Sequence, residues 1–147
     1  MNPADGTTDP PALAPATPSG PDFLFLCEDS EDDEFWFRKM SQKAGFSAPI
    51  RVVPTVREAI DFLRACCETG QSTPRLMVMD FRLSDGKCTE VLDFVRSQPR
   101  LHATPIITYS GGLNKEDLQG TERYGVVACL EKPLTPEHVE RFKPYFG

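Results

Sequence analysis

The sequence predicts an α/β domain built on a doubly wound, five-stranded parallel sheet in the order 2-1-3-4-5. Three observations carry that prediction. Short, unbroken apolar runs such as 23–27 and 76–79 read as strands buried on both faces. Segments of helical periodicity alternate with those runs, which implies right-handed crossovers between parallel strands. Each run also ends in polar or charged residues, and the carboxyl ends of the strands are where open α/β sheets place their ligands.

The first strand is 23–27, and Glu28 and Asp29 stand at its end. Ser30 is placed to cap a helix whose first turn, Glu31 to Glu34, is acidic and so complements the positive end of the helix dipole. Phe37, Met40 and Ala44 share one face and should meet the sheet. Phe35 and Trp36 cannot both join them, and Gly45 should end the helix. The second strand is 50–53. Thr55 and Glu58 then form a capping-box pattern ahead of a helix with Ala59, Leu63 and Cys66 inward, and Gly70 and Pro74 mark its exit.

Residues 76–79 make the central strand, with Asp80 directly after it and a polar turn containing Gly86 beyond. Val91, Leu92 and Val95 define a third helix that stops before Pro99. A fourth strand follows at 105–109, with Ser110-Gly111-Gly112 as its loop. The next helix, about 114–124, is weakly amphipathic and contains Gly120. The fifth strand is 126–130, followed by Glu131-Lys132-Pro133. Thr135 and Pro136 open a last helix, which Pro144 should cut short.

Composition narrows the function classes. At 147 residues the chain is one domain's worth, long enough for a real core. Residues 1–21 hold six prolines and no periodic apolar face, so they read as a disordered tail, leaving 22–147 as the folded domain. Nine acids precede the first base, Arg38, so the net charge of −6 reflects a local acidic cluster. That argues against direct nucleic-acid contact or an anionic membrane as partner. Five cysteines without a C-x-x-C suit buried thiols in a reducing compartment, and His102 and His138 lack partners at zinc-ligand spacing. No leader pattern or membrane-length apolar run is present, so a cytoplasmic location is expected.

In the predicted topology the ends of strands one, three, four and five converge. They bring together Glu28, Asp29, Asp80, Ser110, the Gly111 amide and Lys132. Three crowded carboxylates call for a hard cation such as Mg²⁺. Lys132, a hydroxyl and a backbone N–H nearby suit a phosphoryl group, with Asp80 as nucleophile.

Four motifs, in order and at suitable spacing, resemble the receiver domain of two-component response regulators, a flavodoxin-like fold. They are Cys27-Glu28-Asp29-Ser30, Met79-Asp80, Tyr109-Ser110-Gly111 and Glu131-Lys132-Pro133-Leu134, within a match from Phe23 to about Phe142. The resemblance implies an aspartyl phosphoacceptor at Asp80, fed by a sensor histidine kinase or phosphotransfer protein with Mg²⁺. Glu28, Asp29, Asp80 and the Arg82 carbonyl would hold the metal. Ser110 would hydrogen-bond the phosphoryl group, Lys132 would pair with it, and Lys132–Pro133 would be a cis bond. With the sequence ending at Gly147, a stand-alone receiver signalling to an unknown downstream protein is expected, with no enzymatic output.

The chain departs from that family at Ser84, where proline is usual, and at Cys88, where glycine is usual. Cys129 replaces the aromatic switch of strand five, so the response should fall in 111–124 instead. Two alternatives follow from the same residues. One is a receiver-like interaction module that is never phosphorylated. The other is an Asp-nucleophile hydrolase, which would want a carboxylate where Arg82 stands.

Overall fold

The computed structural model describes residues 22–112 and 114–147; the expected tail at 1–21 lies outside the described residues. Five strands form the parallel sheet: β1 (Leu24–Cys27), β2 (Ile50–Val53), β3 (Leu76–Asp80), β6 (Ile106–Ser110) and β7 (Ala128–Glu131). Their order is β2-β1-β3-β6-β7, the expected doubly wound arrangement. The helices are α1 (Glu31–Lys43), α2 (Val56–Thr69), α3 (Cys88–Ser97), α4 (Lys115–Glu122) and α5 (Pro136–Glu140).

Successive strand residues point to opposite faces, and two cores result. Phe25, Cys27, Met77 and Met79 pack with Leu63 of α2 and Leu92 of α3. Leu24, Leu26, Leu76 and Val78 pack with Phe37 of α1 and Phe142 after α5. Ser30 caps α1 by accepting the Asp33 N–H, and Thr55 caps α2 by accepting that of Glu58. The reverse half of the expected box differs: the Glu58 carboxylate takes the Thr55 hydroxyl. Gly70 ends α2 at φ 72°, a left-handed cap in which a Cβ would be strained. Phe35 is 66% exposed, while Trp36 lies flatter and donates its indole N–H to the Leu134 carbonyl at 2.9 Å. Ala44 sits at the C-cap of α1, half-buried against the core.

Four features differ from the sequence reading. A small antiparallel hairpin, β4 (Arg82–Leu83) with β5 (Gly86–Lys87), fills the turn after Asp80. Two-residue strands carry no periodic signal. Ser110 is the last residue of β6 rather than part of its loop, because its carbonyl accepts the Lys132 N–H. β7 begins at Ala128, two residues later than expected. Val127 turns outward, and its N–H bonds the Ile106 carbonyl ahead of the ladder.

The last helix ends at Glu140, well before Pro144, which lies in a 3₁₀ turn at Lys143–Tyr145. The Arg141 and Phe142 N–H groups bond three residues back, tightening the chain and turning Phe142 into the core. Lys132–Pro133 is cis, as the resemblance implies. Among the described residues no helix is long and apolar enough to cross a membrane.

Phe142 is fully buried, stacked on Phe37 and edge-on to Phe46. Phe142→Ala is expected to cost about 3–5 kcal/mol in a urea unfolding titration, because the site cannot collapse around the lost ring. A loss under about 1 kcal/mol would show that the α1–α5 face repacks freely.

Candidate functional site

Strand alternation builds the site. Leu24 and Leu26, Leu76 and Val78, Ile107, and Leu130 all face α1 and α5. Counting on by two along each strand puts Glu28, Asp80, Tyr109 and Lys132 on that same face, at the carboxyl edge. Parallel pairing aligns Cys27 with Met79 and Asp80 with Tyr109, so these groups also stand at one level.

Lys132 is the hub. Its Nζ lies 2.8 Å from Glu28 Oε1, 2.7 Å from Asp33 Oδ2 and 2.9 Å from Asp80 Oδ2. An ammonium has three N–H donors, and all three are engaged. Burial alone would lower the Lys132 pKa. The hydrogen bonds to Asp33, Glu28 and Asp80 outweigh it and hold the ammonium above its ordinary value. Asp80 moves the other way from a salt-bridged carboxylate. Burial lifts its pKa, the contacts to Lys132 offset that only in part, and Glu28 adds to the rise.

Glu28 is buried and committed. Its Oε1 accepts the Tyr109 hydroxyl besides Lys132, and its Oε2 accepts the Ser30 N–H at 3.0 Å. Burial and Glu28 push the Tyr109 phenol far up, so it remains a protonated donor. The Tyr109 ring also lies 4.8 Å from Nζ, as a cation–π neighbour. Asp29 is exposed beside this pair, and oxygens of Glu28, Asp29 and Asp80 lie within 4.8 Å of one another. Hard oxygens around an edge open to water fit Mg²⁺, which keeps several waters and takes one or two carboxylates.

Ser110 falls on the opposite face of the sheet edge. There a cleft of about 220 Å³ is lined by Asp80, Arg82, Ser110, Gly111 and Asp117. The Arg82 N–H lies 3.4 Å from Asp80 Oδ1, and its guanidinium grips both Asp117 oxygens at 3.0 and 3.2 Å. The far end of the same loop is pinned by Asp85, whose carboxylate accepts the Val56 and Arg57 N–H groups at the start of α2. Cys88 borders this region. Burial first, and then the Asp80 charge, push its thiol up to about 12, so it stays protonated.

The structure therefore brings Glu28, Asp29, Asp80 and Lys132 together and sets Ser110, Gly111 and Arg82 around the adjoining cleft. Sequence reasoning missed Asp33, Tyr109, Asp85 and Asp117. Tyr109 was recoverable from strand parity. Asp33 was read only as helix-dipole complement, and Asp85 and Asp117 gave no local signal.

The raised Asp80 pKa has a sign that can be tested. A carboxyl whose folded pKa exceeds its unfolded one contributes stability that is present below the unfolded value and lost as pH rises through the folded one. At neutral pH without divalent cations, Asp80→Asn should therefore melt a few degrees higher than wild type, with the gap closing toward pH 4. Added Mg²⁺ should raise the wild-type melting temperature and leave the variant's nearly unchanged. A lower melting temperature for Asp80→Asn in EDTA would contradict this electrostatic account.

No family model matches the chain. A curated relative, the probable methanogenesis regulatory protein FilR2 of Methanothrix harundinacea (strain 6Ac), is 28% identical over 121 residues, 82% of this chain and 78% of that protein. The phosphorylated cyanobacterial phytochrome response regulator RcpA superposes with a TM-score of 0.72 at 21% identity, covering 86% of this chain and 94% of its own. The receiver domain of sensor histidine kinase PA1611 from Pseudomonas aeruginosa PAO1, with a magnesium ion coordinated in its active-site cleft, gives 0.68 at 18% identity. It covers 86% of this chain and 98% of its own. At these identities the likeness is one of fold: this chain has the doubly wound α/β fold of response-regulator receiver domains.

Proposed function

We propose that residues 22–147 form a phosphoacceptor receiver domain in which Asp80 takes a phosphoryl group from a histidine kinase or phosphotransfer protein. The observation that carries this reading is Lys132 held 2.9 Å from Asp80 Oδ2 at the carboxyl edge of the central strand, with Ser110 across the adjoining cleft. In the transfer, an Asp80 oxygen forms the new bond to phosphorus. The bond from phosphorus to the donor's imidazole nitrogen breaks, and its electron pair stays on that nitrogen. Oδ2 is held by Lys132, whereas Oδ1 has only the long contact to the Arg82 amide, so Oδ1 is the freer nucleophile.

Each neighbour has a task. Lys132 stabilises charge gathering on the phosphoryl oxygens, and the Ser110 hydroxyl and Gly111 N–H donate to them. Glu28, Asp29, Asp80 and the Arg82 carbonyl are the groups that would hold Mg²⁺. When bound, that ion neutralises part of the phosphoryl charge. Tyr109 and the Ser30 amide keep the Glu28 carboxylate in place. The domain signals by protein–protein contact in the cytoplasm, without direct nucleic-acid binding, and performs no turnover chemistry beyond losing its own phosphoryl group. Arg82 stands two residues after Asp80, where a hydrolase would want a carboxylate as general acid, and this supports the acceptor reading over a hydrolase.

Incubation of the protein with Mg²⁺ and acetyl phosphate should add one phosphoryl mass, read by intact-mass spectrometry. Asp80→Asn should add none, and EDTA should suppress the wild-type signal. Ser110→Ala should slow the uptake by roughly tenfold or more through one lost hydrogen bond to the developing charge. Equal labelling of Asp80→Asn and wild type would sink the assignment.

A further inference from the structure

At rest Lys132 has all three donors engaged, so it can meet a phosphoryl oxygen only by releasing one of its carboxylates. Its three N–H groups are held by Glu28, Asp33 and Asp80, and the resting edge already sets four carboxylates, counting Asp29, against one ammonium. A phosphoryl group on Asp80 adds further negative charge and three acceptor oxygens. Another cation already lines the cleft beside Asp80: the Arg82 guanidinium.

Arg82 is held away from that role by Asp117. The two are unequal partners: the Asp117 side chain is 8% exposed and that of Arg82 is 54% exposed. Arg82 can leave the pair and remain hydrated, whereas Asp117 is left as a desolvated charge once its counterion goes. Asp117 also anchors α4. Within that helix only Asp117 and Thr121 are buried. The Asp117 N–H bonds the Asn114 cap, and its carbonyl accepts the Thr121 hydroxyl.

Resting on the phosphoacceptor reading above, we propose that the Arg82 guanidinium is a second cationic ligand of the phosphoryl group, parked on Asp117 until phosphorylation. Nη2 alone bridges the two Asp117 oxygens, at 3.0 and 3.2 Å, whereas the guanidinium's full planar fork suits two phosphoryl oxygens, and a dianion attracts it more strongly than a carboxylate. The exchange strips Asp117 of its counterion while new negative charge arrives across the same cleft. α4 then loses its polar anchor and loosens. This supplies a switch that needs no aromatic rotor on β7, where Cys129 offers none. Leu118, already 39% exposed on α4, lies on the surface a downstream partner would read.

The test uses the full chain with beryllofluoride and Mg²⁺ as phosphoryl mimic, binding followed by Trp36 fluorescence and α4 by hydrogen exchange. In wild type the mimic should speed exchange across 114–122 by about tenfold or more and leave α3 unchanged. Asp117→Asn should exchange fast in α4 without the mimic and gain little from it. Arg82→Gln should bind the mimic roughly tenfold more weakly, and Arg82→Lys, which keeps the charge without the fork, should fall between. In a double-mutant cycle on melting temperature, Arg82→Gln and Asp117→Asn should be non-additive without the mimic and additive with it. A merely structural ion pair would stay coupled in both states. If wild type binds the mimic but the coupling persists, or Arg82→Gln binds as tightly as wild type, the exchange is wrong and the acceptor reading stands. If wild type does not bind the mimic and takes no label from acetyl phosphate, both fall together.

Discussion

The arrangement at the sheet edge depends on one ammonium group serving three carboxylates. Lys132 reaches Glu28, Asp33 and Asp80 at 2.7–2.9 Å, so the loop after β7, the end of β1, the first turn of α1 and the end of β3 meet at one nitrogen. The attraction is strong at Glu28 and Asp80, which are largely dry, weaker at the half-exposed Asp33, and incomplete because the anions outnumber the cation. A site so underneutralised has the hard-oxygen character that suits a hydrated divalent ion. The Asp80 carboxyl is also kept more basic than an ordinary aspartate, and the lysine stays charged.

The two faces of the sheet divide the labour. On the α1 and α5 face, strand alternation lines up Glu28, Tyr109, Asp80 and Lys132 into a fixed network, backed by the Phe37 and Phe142 core. On the other face the cleft is closed by an ion pair between a half-exposed arginine and a helix held by few buried groups. A half closed by buried contacts and a half held by a partly exposed ion pair follow from the same pleat. Local stability of that unequal kind is what a switching element needs.

Much of this was legible in the chain. Unbroken apolar runs gave the buried parallel strands, and helix caps at Ser30, Thr55 and Thr135 marked starts that the structure keeps. Glu28, Asp80, Ser110 and Lys132 were legible because they stand within two residues of the ends of those runs. The unforeseen parts involve partners remote in sequence or conformations set by packing. Arg82 and Asp117 are 35 residues apart, and Asp85 reaches across 28 and 29 residues to α2. The early end of α5 follows from Phe142 turning inward, which no proline signals. Tyr109 is the exception: counting by twos from Ile107 points it at Glu28, and that reading needed only the pleat.

The short segment from Asp80 to Asp85 carries two carboxyl groups that respond to acid in opposite senses. Burial lifts the first above its ordinary pKa, while the α2 amides hold the second below its own. Between those two values lies an acid window in which Asp80 has taken up its proton but the Asp85 clasp is still ionised and closed. Acid in that window therefore neutralises Asp80 without unfastening the loop that follows it. An acidic crystallisation or spectroscopic sample can on that account hold Asp80 neutral with the loop's fastening to α2 intact.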